Sequence, residues 1–375
     1  MAISKIDSDG ITAGGITADS LNIGQIGGRR NLIINGAMQV AQRGNTSNDN
    51  GVFVADRYMF RTNGLGAAGA VIAASTQSTT VPGGFASALK TNVTTAGSGF
   101  SADNRDGFAQ KLETQDVAHL FDAGNSFTLS FWVRSSLATT YGLTLTLLNR
   151  DTTSTGDQYA TSYTINSADT WEKKTITIPA TTSSRSGGDD NSTGLHIYWN
   201  LEMISGGSRS SATADSWADN VTTDQVVSAA ADTGWMSSTH DFYITGVQLE
   251  VGSVATPFEH RSYGEELALC QRYFYAEDNG DPFHMVACGA AATSTLFIGI
   301  LATPVTMRSA PTLTTSGSYA FAGSITGSAT GLTLTDPTTS NNMQIRASGS
   351  FTTGNGGYLR NNNDTGAKFE LDAEL

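Results

Sequence analysis

Between positions 127 and 147 the chain alternates apolar and polar side chains with period two, and no other feature restricts its folds so sharply. Phe127, Leu129 and Phe131 fall on one face of an extended strand, and Thr128, Ser130 and Trp132 on the other. Tyr141-Gly142-Leu143-Thr144-Leu145-Thr146-Leu147 repeats the pattern after the polar stretch 135–140. The pair is expected as a hairpin across the middle of a sheet. Similar short runs recur at 32–34, 52–60, 86–93, 107–112, 158–165, 171–178, 195–201 and 241–250, separated by turn-forming residues. Strands at this spacing, with no strand–helix–strand alternation, predict an all-β, jelly-roll-like β-sandwich.

Composition supports that class. Charged residues are only 15 % of the chain, and Gly, Ser, Thr and Asn take their place. Such a mixture is poor in helix formers and rich in strand and turn formers. A hydrophobic fraction of 39 % is enough for packed cores, and 375 residues are enough for two or three domains.

One stretch reads as a helix. Ser262-Tyr263-Gly264-Glu265 has the pattern of a capping box, and Glu265 and Glu266 would occupy the first turn, where the macrodipole favours acids. Leu267, Cys270 and Phe274 would line one face and Leu269 and Tyr273 another. A helix apolar nearly all round is expected to be buried. This short connecting helix, 261–276, would join a sandwich over 31–260 to a second, smaller β domain over 277–375. Leu267, Leu269, Cys270, Tyr273 and Phe274 exceed what one face requires, so they are candidates for a subunit or domain contact.

Residues 1–30 repeat Ile-Thr-Ala five positions apart, with further Ile and Leu nearby. Alone they are too few to build a core. Two readings stand: a flexible leader, or an attachment and oligomerisation segment in which three copies bury their Ile side chains together.

Several classes of function are disfavoured. The net charge is −13 and no basic run occurs, which argues against nucleic acid and against electrostatic binding to an anionic membrane. No apolar run reaches 18 residues, so no transmembrane helix is expected. Met1-Ala2-Ile3-Ser4-Lys5 does not open a signal peptide, which predicts synthesis and retention in the producing cell's cytoplasm. Cys270 and Cys288 form no disulfide framework, and the five histidines have no metal-ligand spacing. No nucleophile-elbow pattern or phosphate loop is present, so an enzyme is not expected. A carboxylate pair assembled from distant residues, and with it a glycoside hydrolase, stays open.

Gly246 to Tyr275, GVQLEVGSVATPFEHRSYGEELALCQRYFY, resembles a segment of bacteriophage and prophage tail-fibre, receptor-binding proteins. Asn31-Leu32-Ile33-Ile34-Asn35-Gly36-Ala37-Met38 with Ala55-Asp56-Arg57-Tyr58 resembles the strand that opens their sandwiches. Pro304-Val305-Thr306-Met307-Arg308-Ser309-Ala310-Pro311 resembles a turn in their C-terminal domain. The matching motifs are scattered over 31–311. The resemblance implies a virion protein, homotrimeric, attached to other tail proteins through its N-terminal segment and binding a host-surface glycan. It also implies a carbohydrate-binding-module-like sandwich, and Trp171 to Pro179 resembles a strand of such modules. Their aromatic rings stack on pyranose C–H faces, which makes Trp217, Trp199, Tyr198, Trp171 and Tyr163 the candidate ligand contacts. Trp217, in a long polar loop over 205–232, is the foremost of these. A structural Ca²⁺ is a further expectation from such modules, with hard oxygen ligands at Asp189-Asp190-Asn191 or Asp103-Asn104-Arg105-Asp106. Solvated turn residues remain the alternative there.

Overall fold

The computed structural model describes residues 29–44, 46, 47, 51, 53–63, 71–120, 125–148, 156–181, 190–221, 225–277, 281–335 and 342–375, with only the backbone of 46, 47, 71–77 and 219–221. The expected attachment segment lies outside the described residues, apart from Arg29 and Arg30. The chain divides into two compact units between Arg261 and Ser262.

The first unit is an antiparallel sandwich. Its strands are β1 (Thr46–Ser47), β2 (Phe53–Ala55), β3 (Tyr58–Asn63), β4 (Val71–Ser78), β5 (Ala88–Thr95), β6 (Arg105–Glu113), β7 (Phe127–Ser135), β8 (Thr140–Leu148), β9 (Gly156–Thr164), β10 (Glu172–Ile178), β11 (Thr193–Met203), β12 (Ser216–Val221) and β13 (Asp241–Val251). One sheet has six strands in the order β1-β4-β5-β13-β7-β10, the other seven in the order β12-β9-β8-β11-β6-β3-β2. The chain crosses between the sheets repeatedly, as a jelly roll does. Alternate residues supply the core: Phe127, Leu129 and Phe131 from β7, Leu143 and Leu145 from β8, and Leu195, Ile197 and Trp199 from β11 are all fully buried.

The expected hairpin is not formed. β7 pairs with β13 and β10 in one sheet, whereas β8 pairs with β9 and β11 in the other. The alternating pattern says which side chains must be inside, and two facing strands satisfy it as well as two neighbouring ones. The connection arches over the core edge, where the Ser135 and Tyr141 hydroxyls meet at 2.8 Å.

Two distant segments close the sandwich. Residues 31–36 run beside the second half of β13, with Leu32 N–H donating to Leu249 O and Val247 N–H to Gly36 O. Asn31 fixes this pairing: its Nδ2 donates to Val247 O, and its Oδ1 accepts from Ile33 and Leu249 N–H. After β13, residues 252–259 fold back across the outer face of the six-stranded sheet. There the Glu250 carboxylate accepts from Gln248 Nε2, Thr256 N–H and Thr256 Oγ1, and Gln248 Oε1 accepts from Glu259 N–H. Arg261 donates to the carbonyls of Ile33 and Asn31.

The second unit opens with a helix, Tyr263–Gln271. Its capping box is formed, with Ser262 Oγ accepting from Glu265 N–H and the Glu265 carboxylate from Ser262 N–H. The helix is not buried all round: Leu267 and Leu269 are half-buried and Tyr263 is 56 % exposed. It stops at Gln271, so Tyr273 and Phe274 leave its surface and are buried in the following turn and strand. The strands are β14 (Phe274–Ala276), β15 (Met285–Ala291), β16 (Leu296–Ala302), β17 (Thr312–Ser316), β18 (Tyr319–Gly323), β19 (Gly327–Thr335), β20 (Asn342–Ser348), β21 (Gly356–Asn361) and β22 (Lys368–Asp372). β14-β22-β17 make a small sheet, and β15-β16-β20-β19-β18-β21 close into a barrel. Closure leaves no free sheet edge, and Phe297, Leu301, Met343, Ile345 and Leu359 fill the interior.

Candidate functional site

Three of the five expected aromatic contacts lie inside the protein. Trp199 is fully buried, stacked on Phe108 at 5.4 Å and edged by Phe131. Tyr163 meets Phe131 edge-on at 5.1 Å and is likewise in the core. Tyr198 points out of the seven-stranded sheet but is buried, leaning over Gly107, where a Cβ would come within 3.0 Å of its ring. Residues 225–230 lie on that face beside β8 and β9, with Gln225 O accepting from Thr144 Oγ1 and Gln158 Nε2. None of these rings offers a face to a sugar.

Trp217 does not sit in a loop. It belongs to β12, an edge strand paired with β9. The half-buried ring packs against Tyr159 at 5.5 Å, and its Nε1–H donates to Pro179 O at 2.8 Å. Packing accounts for its place in a polar stretch, because an edge strand still has one face on the core.

Trp171 is different. It is half-exposed on the outer face of the six-stranded sheet, edge-on to Tyr243 at 6.2 Å. The clamp described above covers one half of this face, burying Thr128, Ser130, Gln248 and Glu250. The other half is partly open: Trp171, Trp132, Arg134 and Lys90 are half-exposed and Lys173 is exposed, while Tyr243 and Thr245 are buried. Across it Tyr243 pairs with Arg134 on one side and Lys90 on the other. Two residues along, Trp132 lies between Lys173 and Thr245 and is also half-exposed. Trp132 and Tyr243 were not among the expected contacts. The signal for Trp132 was its position opposite the apolar face of an alternating strand, where a large aromatic ring among Thr and Ser has no core to enter.

Local chemistry holds these rings in place. Glu172, next to Trp171, accepts from Asn166 N–H, Ser167 N–H and Asn166 Nδ2, and pairs with Lys174 at 2.6 Å. Partial burial opposes its ionisation, but Lys174 and these donors win and hold its carboxyl down to about 2. Gly246 turns β13 at φ +62° in an irregular register, and a Cβ there would be 2.5 Å from Phe85 and 3.0 Å from Trp132. The Arg134 and Lys90 cations lie 5.1 and 5.4 Å from the centre of the Tyr243 ring. Burial opposes the Lys90 charge, yet its bond to Asp241 at 3.1 Å raises the ammonium above its ordinary range.

The expected Ca²⁺ ligands diverge. Asp103 Oδ1 accepts from Arg209 N–H, while Asp106 is buried and accepts from Trp235 Nε1 at 2.8 Å. Burial, and the nearby Glu202 charge, push the Asp106 carboxyl well above the usual range. Asp190 caps Ser192, and Asp189 lies outside the described residues. Among the described residues no group of three His, Cys, Asp or Glu side chains is placed to hold a metal. No helix among them is long and apolar enough to cross a membrane.

In the second unit a trough of about 440 Å³ lies on the outer side of β15, β16 and β20. Cys288, Ile298 and Ile300 line it, and Ile300 is 62 % exposed.

No family model matches the chain, and no curated protein matches it. Among solved structures it is similar to the enzymatically active domain of tailspike protein 4 of Bacteriophage CBA120, at 14 % identity and a TM-score of 0.32, over 59 % of this chain and 21 % of that one. It is similar to the CBM22-2 xylan-binding domain of Paenibacillus barcinonensis Xyn10C, at 15 % identity and a TM-score of 0.30, over 55 % of this chain and 98 % of that one. The third is the family 11 carbohydrate-binding module of a Clostridium thermocellum cellulase, at 13 % identity and a TM-score of 0.28, over 59 % of this chain and 100 % of that one. The chain thus spans about a fifth of the tailspike domain's length, and overlaps this loose carry no functional inference.

Proposed function

We propose that the protein binds a glycan on the partly open half of its six-stranded sheet, as the receptor-binding component of a phage tail fibre. The observation that carries the glycan reading is the row formed by Trp171, Arg134 and Tyr243 with Trp132 beside it. The half-exposed Trp171 and Trp132 rings offer apolar surface to pyranose C–H groups, and the cations, set in place by the buried Tyr243 ring, offer donors to hydroxyls. Exposed Trp surface is unfavourable in water unless something covers it.

The tail-fibre reading is supported by the resemblance of residues 31–38, 55–58, 246–275 and 304–311. In the first unit the hydrogen bonds of 31–36 with 247–261 knit the sandwich shut, so these motifs would be architectural and the ligand would be taken elsewhere. In this reading the protein is a homotrimer in the virion, made in the host cytoplasm, with residues 1–30 joining it to other tail proteins. Weak single sites would then act together through linked copies. Of the five expected contact residues, half-buried Leu267 and Leu269 are those with surface to give to a contact between copies, beside the exposed Tyr263.

Binding of the full chain to a glycan panel tests the first part. Trp171→Ala and Trp132→Ala are each expected to weaken binding about tenfold while leaving the melting temperature near wild type. Unchanged binding in both variants would remove this face as the site. A chain that binds no glycan and no host cell would favour a purely structural tail protein, and release of reducing sugar would favour a depolymerase.

A further inference from the structure

We infer that the ligand of this face is an acidic oligosaccharide, one bearing carboxylate groups; the inference rests on the glycan reading above. Three cations are interleaved with the rings. Arg134 stands beside Tyr243 on the Trp171 side, Lys90 beside Tyr243 on the other, and Lys173 beside Trp132. In a chain whose net charge is −13, these three cations outnumber the two carboxylates paired with them, Asp169 and Asp241.

The cations are positioned and keep donors to give. Arg134 uses Nη2 on Asp169 Oδ1 at 2.8 Å and Nε on Asp169 O at 2.9 Å. A guanidinium has five N–H donors, so its remaining edge is available. Lys90 meets Asp241 Oδ2 at 3.1 Å, and the same oxygen accepts from Tyr243 OH at 3.2 Å. An ammonium has three donors. Lys173 is exposed in the adjacent row. The carboxylates nearby are already engaged: Asp169 by Arg134, Asp241 by Lys90 and Tyr243, and Glu172 by Lys174.

Repulsion from the rest of the acidic chain does not overrule this. At physiological salt it is screened over about 8 Å, so donors in contact with the ligand decide. A cation donating to a carboxylate has both partners charged, whereas a cation donating to a sugar hydroxyl has only one, so the carboxylate is the stronger acceptor. Because Arg134 and Lys90 are held by their partners and by the Tyr243 face, a ligand would order few side-chain rotors on binding. A neutral ligand would use the rings and take the cations' donors on hydroxyls, whereas a carboxylate adds ion pairing to the same donors.

The test is a panel of carboxylated (oligogalacturonate and sialylated), sulfated and neutral oligosaccharides, with the methyl ester of the oligogalacturonate, titrated against the full chain. Expected are carboxylated members bound about tenfold tighter than neutral ones or the ester, and weakened as salt rises from about 50 to about 500 mM. Lys173→Gln, at an exposed position, is expected to lower that affinity about threefold with no change in melting temperature. Binding of neutral members or the ester as tightly as the acid overturns the inference and leaves the glycan reading standing. Binding of sulfated members alone overturns the choice of carboxylate. No binding to any member overturns both.

Discussion

The Glu259 carboxylate accepts the backbone N–H of Asn31 at 2.8 Å, joining positions 228 apart in the chain. The same carboxylate accepts from Arg30 N–H at 3.4 Å, and Asn31 itself makes three further hydrogen bonds to the backbone of 33, 247 and 249. The clamp is a set of polar groups that would each be left buried without a partner if one were removed. Asn31→Ala is therefore expected to lower the stability of the sandwich by about 2–4 kcal/mol, read as a shift of the urea midpoint. A variant as stable as wild type would show that the pairing of 31–36 with β13 does not depend on this side chain.

Gly246→Ala should damage both fold and site. Its φ of +62° strains any side chain, and the added methyl would meet Phe85 at 2.5 Å. The expected cost is about 1–3 kcal/mol, and glycan affinity should fall because the Trp132 ring must move. Retained affinity in a destabilised variant would separate the turn from the binding surface.

Glu172 gives a pH dependence at the acid end. Its folded carboxyl sits at about 2, below the ordinary 4.5, so its stabilisation is complete above the ordinary value and lost as pH falls through about 2. Glu172→Gln should lose about 1–2 kcal/mol at neutral pH and converge with wild type near pH 2, measured by thermal melts at each pH. Parallel curves over that range would show that the Lys174 and Asn166 contacts carry no charge dependence.

Asp106 has the opposite sign. Burial raises its folded carboxyl above the unfolded value, so the associated stability is present at low pH and lost as pH rises through the folded value. Glu202, also buried and also raised, adds in the same direction. Asp106→Asn keeps an acceptor for Trp235 Nε1 and removes the charge. It is expected to stabilise the protein at neutral pH by about 1–3 kcal/mol and to have little effect in acid. A loss of stability at neutral pH would mean that Asp106 is held ionised.

Trimer formation can be tested apart from binding. Sedimentation should give about three chains for wild type, and Leu267→Asp with Leu269→Asp should reduce the assembly, since a charge on each of two half-exposed helix positions opposes burial between copies. An unchanged mass would move the contact away from the helix.

Much of the architecture was legible because it follows from local rules. Period-two alternation, scarce charge and turn residues specify an all-β chain of buried-face strands, and Ser262 with Glu265 specifies where the helix starts, since a cap needs only four consecutive residues. What alternation does not encode is the partner. Phe127 to Phe131 and Leu143 to Leu147 would bury the same side chains as a hairpin or as strands of facing sheets, and only long-range pairing with β13 and β11 chose the second.

The site shows the same division. Trp199, Tyr198 and Tyr163 are aromatic residues of extended segments, as a sugar platform needs, yet ring type says nothing about which sheet face is covered. That was decided by residues 225–230 lying on one sheet and residues 252–259 lying on half of the other, both far in sequence from the strands they cover. The sequence by itself determined strand, turn and cap, because those depend on neighbours within a few residues. The tertiary structure alone left Trp171 and Trp132 in the open and set Arg134 and Lys90 beside Tyr243, because exposure is a property of what packs on top.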